Sequence, residues 1–254
     1  MNIQVELISI GDELLNGRTL NTHGRDLGEA LAIIGLQLSR DTTIPDNPQT
    51  IAEAVSDALK RVNLVFVSGG LGPTPDDVTR DALANLLNRK IILDRPSVEK
   101  IQEWFESRDR EMTPPATRQA LVLSDAEVLY NTEGHAPGQL IQLPSEKLLF
   151  VLPGPPNEFN AIVNNEIIPR LKDRYADVRP KIVRIVRTRG IGESNIMARL
   201  ETAGFKTPEI LIGFYPGQGQ VEIRLTAEPD QMSEIDAIEQ KLRGLLSDHL
   251  DPES

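Results

Sequence analysis

The sequence predicts an α/β protein, a mostly parallel sheet flanked by helices, followed by a small α+β unit. Three observations predict it. Through residue 89, apolar stretches of strand length alternate with stretches whose apolar residues recur at helical spacing, the pattern of a parallel sheet covered on both faces. Residues 138–154, "GQLIQLPSEKLLFVLPG", read as strand, polar turn and strand, which adds an antiparallel element. After Tyr175 the pattern changes, and a unit of three strands and two helices fits the remainder. The predicted domains are residues 1–175 and 176–254, with "DVRP" (177–180) at the junction.

Each element has a local reason. Residues 3–10, "IQVELISI", form a mostly apolar strand. "NTHGRDLGEALAIIG" follows as a helix with Leu27, Leu31 and Ile34 on one face and Gly35 as its stop. "LQLSRDTTI" is a second strand. "DNPQTIAEAVSDALKRV" is a helix with Asn47 as cap and Pro48 in its first turn. "NLVFVS" is a third strand, and a third helix is expected from Asp76 through "DDVTRDALANLLNR". "RPSVEKIQEWFESRDR" reads as another helix, "EMTPPATRQALVL" as less regular, and "PPNEFNAIVNNEIIPRLKDRY" as the long helix that closes the first domain. In the second, "KIVRIVRTRG", "EILIGFY" and "GQVEIRLTAE" are strands, and "GESNIMARLETAG" and "DQMSEIDAIEQKLRGLLSDHL" are helices.

Composition narrows the function classes. A formal net charge of -11 argues against sequence-independent nucleic-acid binding, which relies on Lys and Arg neutralising phosphates. The absence of cysteine excludes disulfides, thiolate nucleophiles and Cys-ligated zinc. No stretch is apolar enough to span a bilayer, and the first residues carry no signal-peptide pattern, so a soluble cytoplasmic protein is expected.

The chemistry gathers at strand ends, where doubly wound sheets bind ligands. "SGGLGPTPDDVTR" (68–80) follows the third strand. Its Gly69, Gly70 and Gly72 let an anion approach backbone N–H groups, although the loop is neither a Walker A nor a dinucleotide fingerprint. A plain strand-to-helix turn with acidic residues at its helix end explains this segment about as well by itself. Two further strand ends shift the balance. "GDELLNG" (11–17) presents Asp12 and Glu13, and "IPDN" (44–47) presents Asp46. Asp12, Asp46, Asp76 and Asp77 would then converge on one crevice. Unit charges about 4 Å apart repel by roughly 4 kcal/mol near a protein surface, so such a group calls for a cation. Hard oxygen donors suit Mg²⁺ or Mn²⁺ shared with substrate phosphates. Asp46 could instead be a helix cap, because "DNP" is also a cap sequence. "LPGPPNEF" adds Gly154 and Glu158 at the same rim. His135, in "TEGHAPGQ", is available for acid-base work, although a lone loop histidine is more often a surface residue. His23 and His249 receive no role.

Seven stretches in order, "GDELLNGRTLNTH", "SGGLGPTPDDVT", "TRQAL", "GHAPG", "LPGPPNEF", "GIGES" and "GQVEIRLTA", resemble the competence/damage-inducible CinA family over essentially the whole chain. The resemblance implies a MoaB/Mog-like molybdopterin-binding-type fold for the first domain and a KH-like fold for the second. It implies a metal-dependent pyrophosphatase that hydrolyses ADP-ribose to AMP and ribose 5-phosphate. The alternative is a non-catalytic molybdopterin or nucleotide-binding module in the same crevice, but a pure binder of anions would not want the acidic group.

In such a hydrolase Asp76 and Asp77 are the expected catalytic pair, one a metal ligand and the other orienting or deprotonating the water, with the two roles open between them. Under the resemblance, Gly69, Gly70, Gly72, Thr74, Asp46, Gly154 and Glu158 bind substrate, and Asp12, Asp46 and Asp77 hold the metal. That metal would be divalent, Mg²⁺ or another such as Co²⁺, Ni²⁺ or Mn²⁺, with K⁺ a further candidate. Where the molybdopterin relatives carry basic residues before the last aspartate, this chain has Pro75 and Asp76, which favours a metal over direct pairing with phosphate. The implied partners are a small nucleotide substrate and a second copy of the chain in a homodimer, with no nucleic acid and no membrane. "RGIGES" lacks the GXXG clamp of an RNA-binding KH domain. Arg184, Arg187 and Arg189 read as a solvated face or subunit contact, with a lesser reading in which Arg189 and Glu193 reach a neighbouring active site. Longer family members continue into a nicotinamide-mononucleotide deamidase domain, so this chain is expected not to deamidate that compound. Asp77→Asn is expected to lower activity at least about a hundredfold while leaving the melting temperature unchanged or slightly raised.

Overall fold

A computed structural model describes residues 3–206, 209–217 and 219–252. The chain divides into two compact units, Met1–Val178 and Arg179–Ser254.

The first unit runs β1 (Gln4–Ile10), a single turn α1 (Asp12–Leu15), α2 (His23–Ile33), β2 (Gln37–Ile44), α3 (Pro48–Arg61), β3 (Leu64–Ser68) and α4 (Thr79–Leu87). It continues through β4 (Ile91–Leu93), α5 (Arg95–Glu106), α6 (Pro114–Thr117), β5 (Leu121–Leu123), β6 (Glu127–Leu129), β7 (Gly138–Leu143), β8 (Lys147–Leu152), α7 (Pro156–Ile162) and α8 (Ile168–Arg174). The main sheet has the order β2-β1-β3-β8-β7-β6. β2, β1, β3 and β8 are parallel, and β7 and β6 are antiparallel, as the strand-turn-strand reading of 138–154 requires.

Both faces of this sheet are covered, so its central strands are apolar at nearly every position. Leu64, Phe66, Phe150 and Leu152 face one core with Leu27, Leu31 and Phe159. Val65, Val67 and Val151 face the other with Ile51, Val55 and Leu83. Phe66 and Phe150 are register partners and stack 4.6 Å apart. Asn47 caps α3 by accepting from the Thr50 N–H at 3.0 Å. The long closing helix carries a π turn, Val163–Ile167, between α7 and α8. Pro169 stands just beyond it and cannot donate to the turn before.

The second unit comprises β9 (Ile182–Arg189), α9 (Glu193–Thr202), β10 (Leu211–Pro216), β11 (Gln220–Ala227) and α10 (Met232–Leu245). Its antiparallel sheet has the order β10-β11-β9. Val186, Ile196, Ile223, Ile235 and Leu242 are buried in its core. Arg184 pairs with Asp236 and Glu239, Arg187 with Glu222, and Arg189 with the buried Asp251. Among the described residues, no helix is long and apolar enough to cross a membrane.

Candidate functional site

Register decides where the loops of the first unit emerge. Ile10 pairs with Ile44, Ser9 with Ser68, and Ser68 with Leu152, so β2, β1, β3 and β8 end at one level. Their loops therefore leave side by side. They are tied together by Gly11 N–H to Ile44 O (3.1 Å), Gly69 N–H to Leu152 O (3.0 Å) and Ser68 Oγ–H to Pro153 O (2.9 Å).

The glycine loop is tight where it leaves β3. Gly69 and Gly70 have φ of 110° and 66°, and side chains there would meet the Ile10 carbonyl and the Thr79 hydroxyl. Only glycine suits both the dihedral and the space.

Two charged side chains shape the rest of the loop. Asp77 accepts from Gly72 N–H at 2.7 Å through one oxygen, and from Thr74 N–H (2.8 Å) and Thr74 Oγ–H (2.5 Å) through the other. This staple delays α4, which starts at Thr79 rather than at Asp76 as expected from the sequence. Asp76 and Asp77 thus lie in the loop and not in a helical first turn. Beneath the loop is Arg80, which is 3% exposed and donates to Leu71 O at 2.7 Å and Gly72 O at 2.8 Å. Burial lowers its pKa to about 10, against the pull of Asp77, so it is still charged at neutral pH. Its charge acts on the loop from beneath, by holding two loop carbonyls, and not on the crevice, which it does not line.

Asp46 accepts the Asp12 N–H at 2.9 Å, which pins the loop after β2 to the start of α1. It caps nothing in α3, where Asn47 has that role. Burial raises its pKa, and the charges of Glu13, Asp12 and Asp76 raise it further, while the Asp12 N–H opposes them. Asp76 is lowered, first by the Thr74 hydroxyl and then by its own backbone N–H, and stays ionised.

These loops enclose a crevice of about 480 Å³. It brings together Gly69, Gly70, Gly72, Asp46, Asp76, Asp77, Gly154 and Glu158. Asp12 and Thr74 do not line it; Asp12 reaches it through its N–H to Asp46, and Thr74 through the Asp77 staple. Glu13, read beside Asp12 at its strand end, and His135, read as available for acid-base work, also line it, together with Thr19 and Gln119, for which the sequence suggests no role.

Glu158 enters against Gly134, which has no side chain to obstruct it, and accepts from Asn131 Nδ2–H. Burial raises its carboxyl pKa, and the Asn131 bond opposes this. His135 packs edge-on against Trp104 with ring centroids 4.5 Å apart. Burial lowers its pKa, with Lys100 and Arg108 adding to the shift, so the imidazole is neutral at pH 7.

Among the described residues, no group of three or more His, Asp or Glu side chains is placed to hold a metal ion unaided. The donor set still fits a hard divalent cation that a phosphate ester completes. Such ions use one or two carboxylates plus phosphate oxygens and water. Asp46, with Glu13 and Asp76 near enough to raise its pKa, offers carboxylates of that kind.

The staple revises one expectation. Asp77→Asn replaces one acceptor oxygen by an amide that confronts N–H donors. Stability should fall by about 1–2 kcal/mol, a drop of about 2–8 °C in melting temperature. Differential scanning calorimetry checks this; an unchanged midpoint would mean that the Gly72 and Thr74 bonds contribute nothing.

Comparison with known proteins adds the following. The family described as "Probable molybdopterin binding domain" matches residues 6–173, and "Damage-inducible protein CinA KH domain" matches residues 183–251. The chain is 36% identical over 236 residues to a Bacillus pumilus protein that bears the provisional name competence-damage inducible protein, covering 92% of this chain and 56% of that one. It is 34% identical over 253 residues to a "CinA-like protein" of Kosmotoga olearia, covering 98% of this chain and 60% of that one. The chain thus spans a little over half the length of these relatives. Among solved structures, a CinA of unknown function from Thermoplasma acidophilum is similar with a TM-score of 0.58 at 28% identity, covering 70% of this chain and 100% of that one.

Proposed function

The chain belongs to the CinA family, and from that premise we propose that its crevice is a metal-dependent nucleotide pyrophosphatase site, hydrolysing ADP-ribose to AMP and ribose 5-phosphate. The observation that carries this reading is the pairing of opposite demands in one space. At Gly69 and Gly70 no side chain keeps a phosphate from the loop backbone, of which the Gly69 N–H is itself spent on Leu152 O, and buried Arg80 holds the loop's Leu71 and Gly72 carbonyls in place. The same crevice is lined by Asp46, Glu13 and Asp76, whose charges disfavour one another at Asp46 and so favour a cation. A metal-bound pyrophosphate satisfies both.

Asp46 and Asp76, with Glu13, would hold the metal, which when bound polarises phosphoryl oxygens and neutralises charge that builds on them. The loop orients the pyrophosphate. Asp77 acts through the loop by holding Gly72 and Thr74, and Asp76 is the freer of the two aspartates. Water is activated by losing a proton to a side chain in reach. His135, kept neutral, and Glu158, whose carboxyl is pushed up, are the crevice groups tuned to accept and return one. The reaction breaks one P–O bond of the pyrophosphate bridge, adds water's oxygen to one phosphorus, and leaves the bridging oxygen on the other product.

AMP release from ADP-ribose with Mg²⁺, Mn²⁺, Co²⁺ or Ni²⁺, and none in EDTA, is the expected result. Absence of AMP with every metal overturns the reading. Tight pterin binding indifferent to EDTA, with no hydrolysis, would replace it with the binding-module alternative.

A further inference from the structure

Beside Ile10 and Gly154 a small recess of about 40 Å³ adjoins the crevice, sharing Glu13 and Thr19 with it. Asn21, Thr22 and His23 complete its polar lining. His23 opens α2 and is 5% exposed. Its ring stacks on Phe159, with centroids 4.3 Å apart and planes 19° from parallel.

Neither Nδ1 nor Nε2 has a hydrogen-bond partner in the protein. The Gly154 backbone lies beside the ring, outside good hydrogen-bond geometry. Neighbouring polar groups are already committed. Asn21 Oδ1 accepts from the His23 N–H at 3.1 Å, Asn21 Nδ2–H donates to Thr43 Oγ at 3.2 Å, and Thr22 Oγ–H donates to Asp26 at 3.1 Å. Burial lowers the His23 pKa, against the Gly154 backbone and Asp26, so the ring is neutral. A neutral imidazole has one N–H donor and one N acceptor. Burying both unpaired is unfavourable, and a phenylalanine would give the same stacking without that penalty. The imidazole therefore implies a partner that the protein does not supply.

We propose that His23 is a binding residue for a hydroxyl of the ligand's sugar, reaching in from the crevice. A hydroxyl donates and accepts at once, which matches a neutral imidazole. The recess has room for a group of that size. The shared Glu13 and Gly154 place the hydroxyl next to the phosphate-binding part of the crevice. The inference rests on the nucleotide reading of the crevice, but it concerns binding and not turnover.

Calorimetric titration of the full chain, with Mg²⁺ present, tests it with two probes, ribose 5-phosphate and inorganic pyrophosphate. His23→Phe keeps the stack on Phe159 and should retain or raise the melting temperature. Its affinity for ribose 5-phosphate should fall at least about tenfold, while pyrophosphate affinity stays within about twofold. In the unaltered protein, ribose 5-phosphate should shift a His23 ring-nitrogen resonance that pyrophosphate leaves in place. That second measurement decides the matter should the variant fold poorly. Equal ribose 5-phosphate affinity in both proteins would overturn the proposal, because the recess then holds only water. So would equal loss of both probes, an unmoved resonance, or no ribose 5-phosphate binding by the unaltered chain. Binding without hydrolysis would sink the pyrophosphatase reading alone and leave the His23 site standing.

Discussion

Arg80→Met should loosen the glycine loop's support and lower activity by about a hundredfold together. The guanidinium donates to Leu71 O and Gly72 O from a position 3% exposed. Methionine fills similar volume and removes a buried charge, which by itself is favourable. It also leaves two carbonyls without donors, and that is the larger effect, because the acceptors stay buried while only one partner of each bond is removed. A loss of about 2–4 kcal/mol is expected, or about 4–16 °C in melting temperature. A loop displaced by about 1 Å costs on the order of a hundredfold in rate. Arg80→Lys should rescue little, since one ammonium cannot fork to both carbonyls. Thermal melts and AMP release on the three proteins check this. Near-native values in Arg80→Lys would mean that charge alone is what the loop needs.

Asp46→Asn should separate stability from activity. The Asn oxygen can still accept the Asp12 N–H, so the loop stays pinned. The change removes a carboxylate that burial and the charges of Glu13, Asp12 and Asp76 disfavour. A carboxyl whose folded pKa is raised favours the fold in acid and works against it once pH has risen through that value. The variant should therefore melt higher than the unaltered chain at neutral pH, with the difference vanishing below the ordinary aspartate range. Activity should fall at least about a hundredfold, because a metal ligand is lost from a site whose cation supplies several kcal/mol. Equal melting curves at every pH would remove Asp46 from the strained group, and undiminished turnover would remove it from the site.

How legible these features were in sequence depended on how local their causes are. The Asn47-Pro48 start of α3 rests on a cap bond three residues long, and the apolar strands advertise a sheet covered on both faces. The strand ends pointed to Asp46, Asp76, Asp77 and the glycines for the same reason, since in a parallel sheet the loops must leave at one level. Arg80 could not be read, because an arginine early in a helix ordinarily faces solvent and nothing nearby shows two carbonyls waiting for it. The α4 start was misplaced at Asp76 because the staple from Asp77 back to Gly72 competes with helix formation, and spacing does not reveal which wins. Glu13 follows from its strand end like Asp12, and His135 stood out only as a loop histidine, whereas Thr19 and Gln119 reach the crevice from loops whose sequence shows no sign of it, so only the fold gathers them. The short β4 and β6 are too brief to show a period, and β6 exists because β7 offers it an edge. His23 had no signal except being polar where a helix face turns inward.

The central claim is that this crevice adds water across a pyrophosphate and does not merely bind one. Incubating the chain with ADP-ribose and metal in heavy-oxygen water, followed by mass spectrometry of the products, tests it most directly. Many turnovers per protein are expected, with one heavy oxygen in either AMP or ribose 5-phosphate of each pair and no product after metal removal. Products free of the label, or substrate bound but uncleaved with every metal tried, would contradict it.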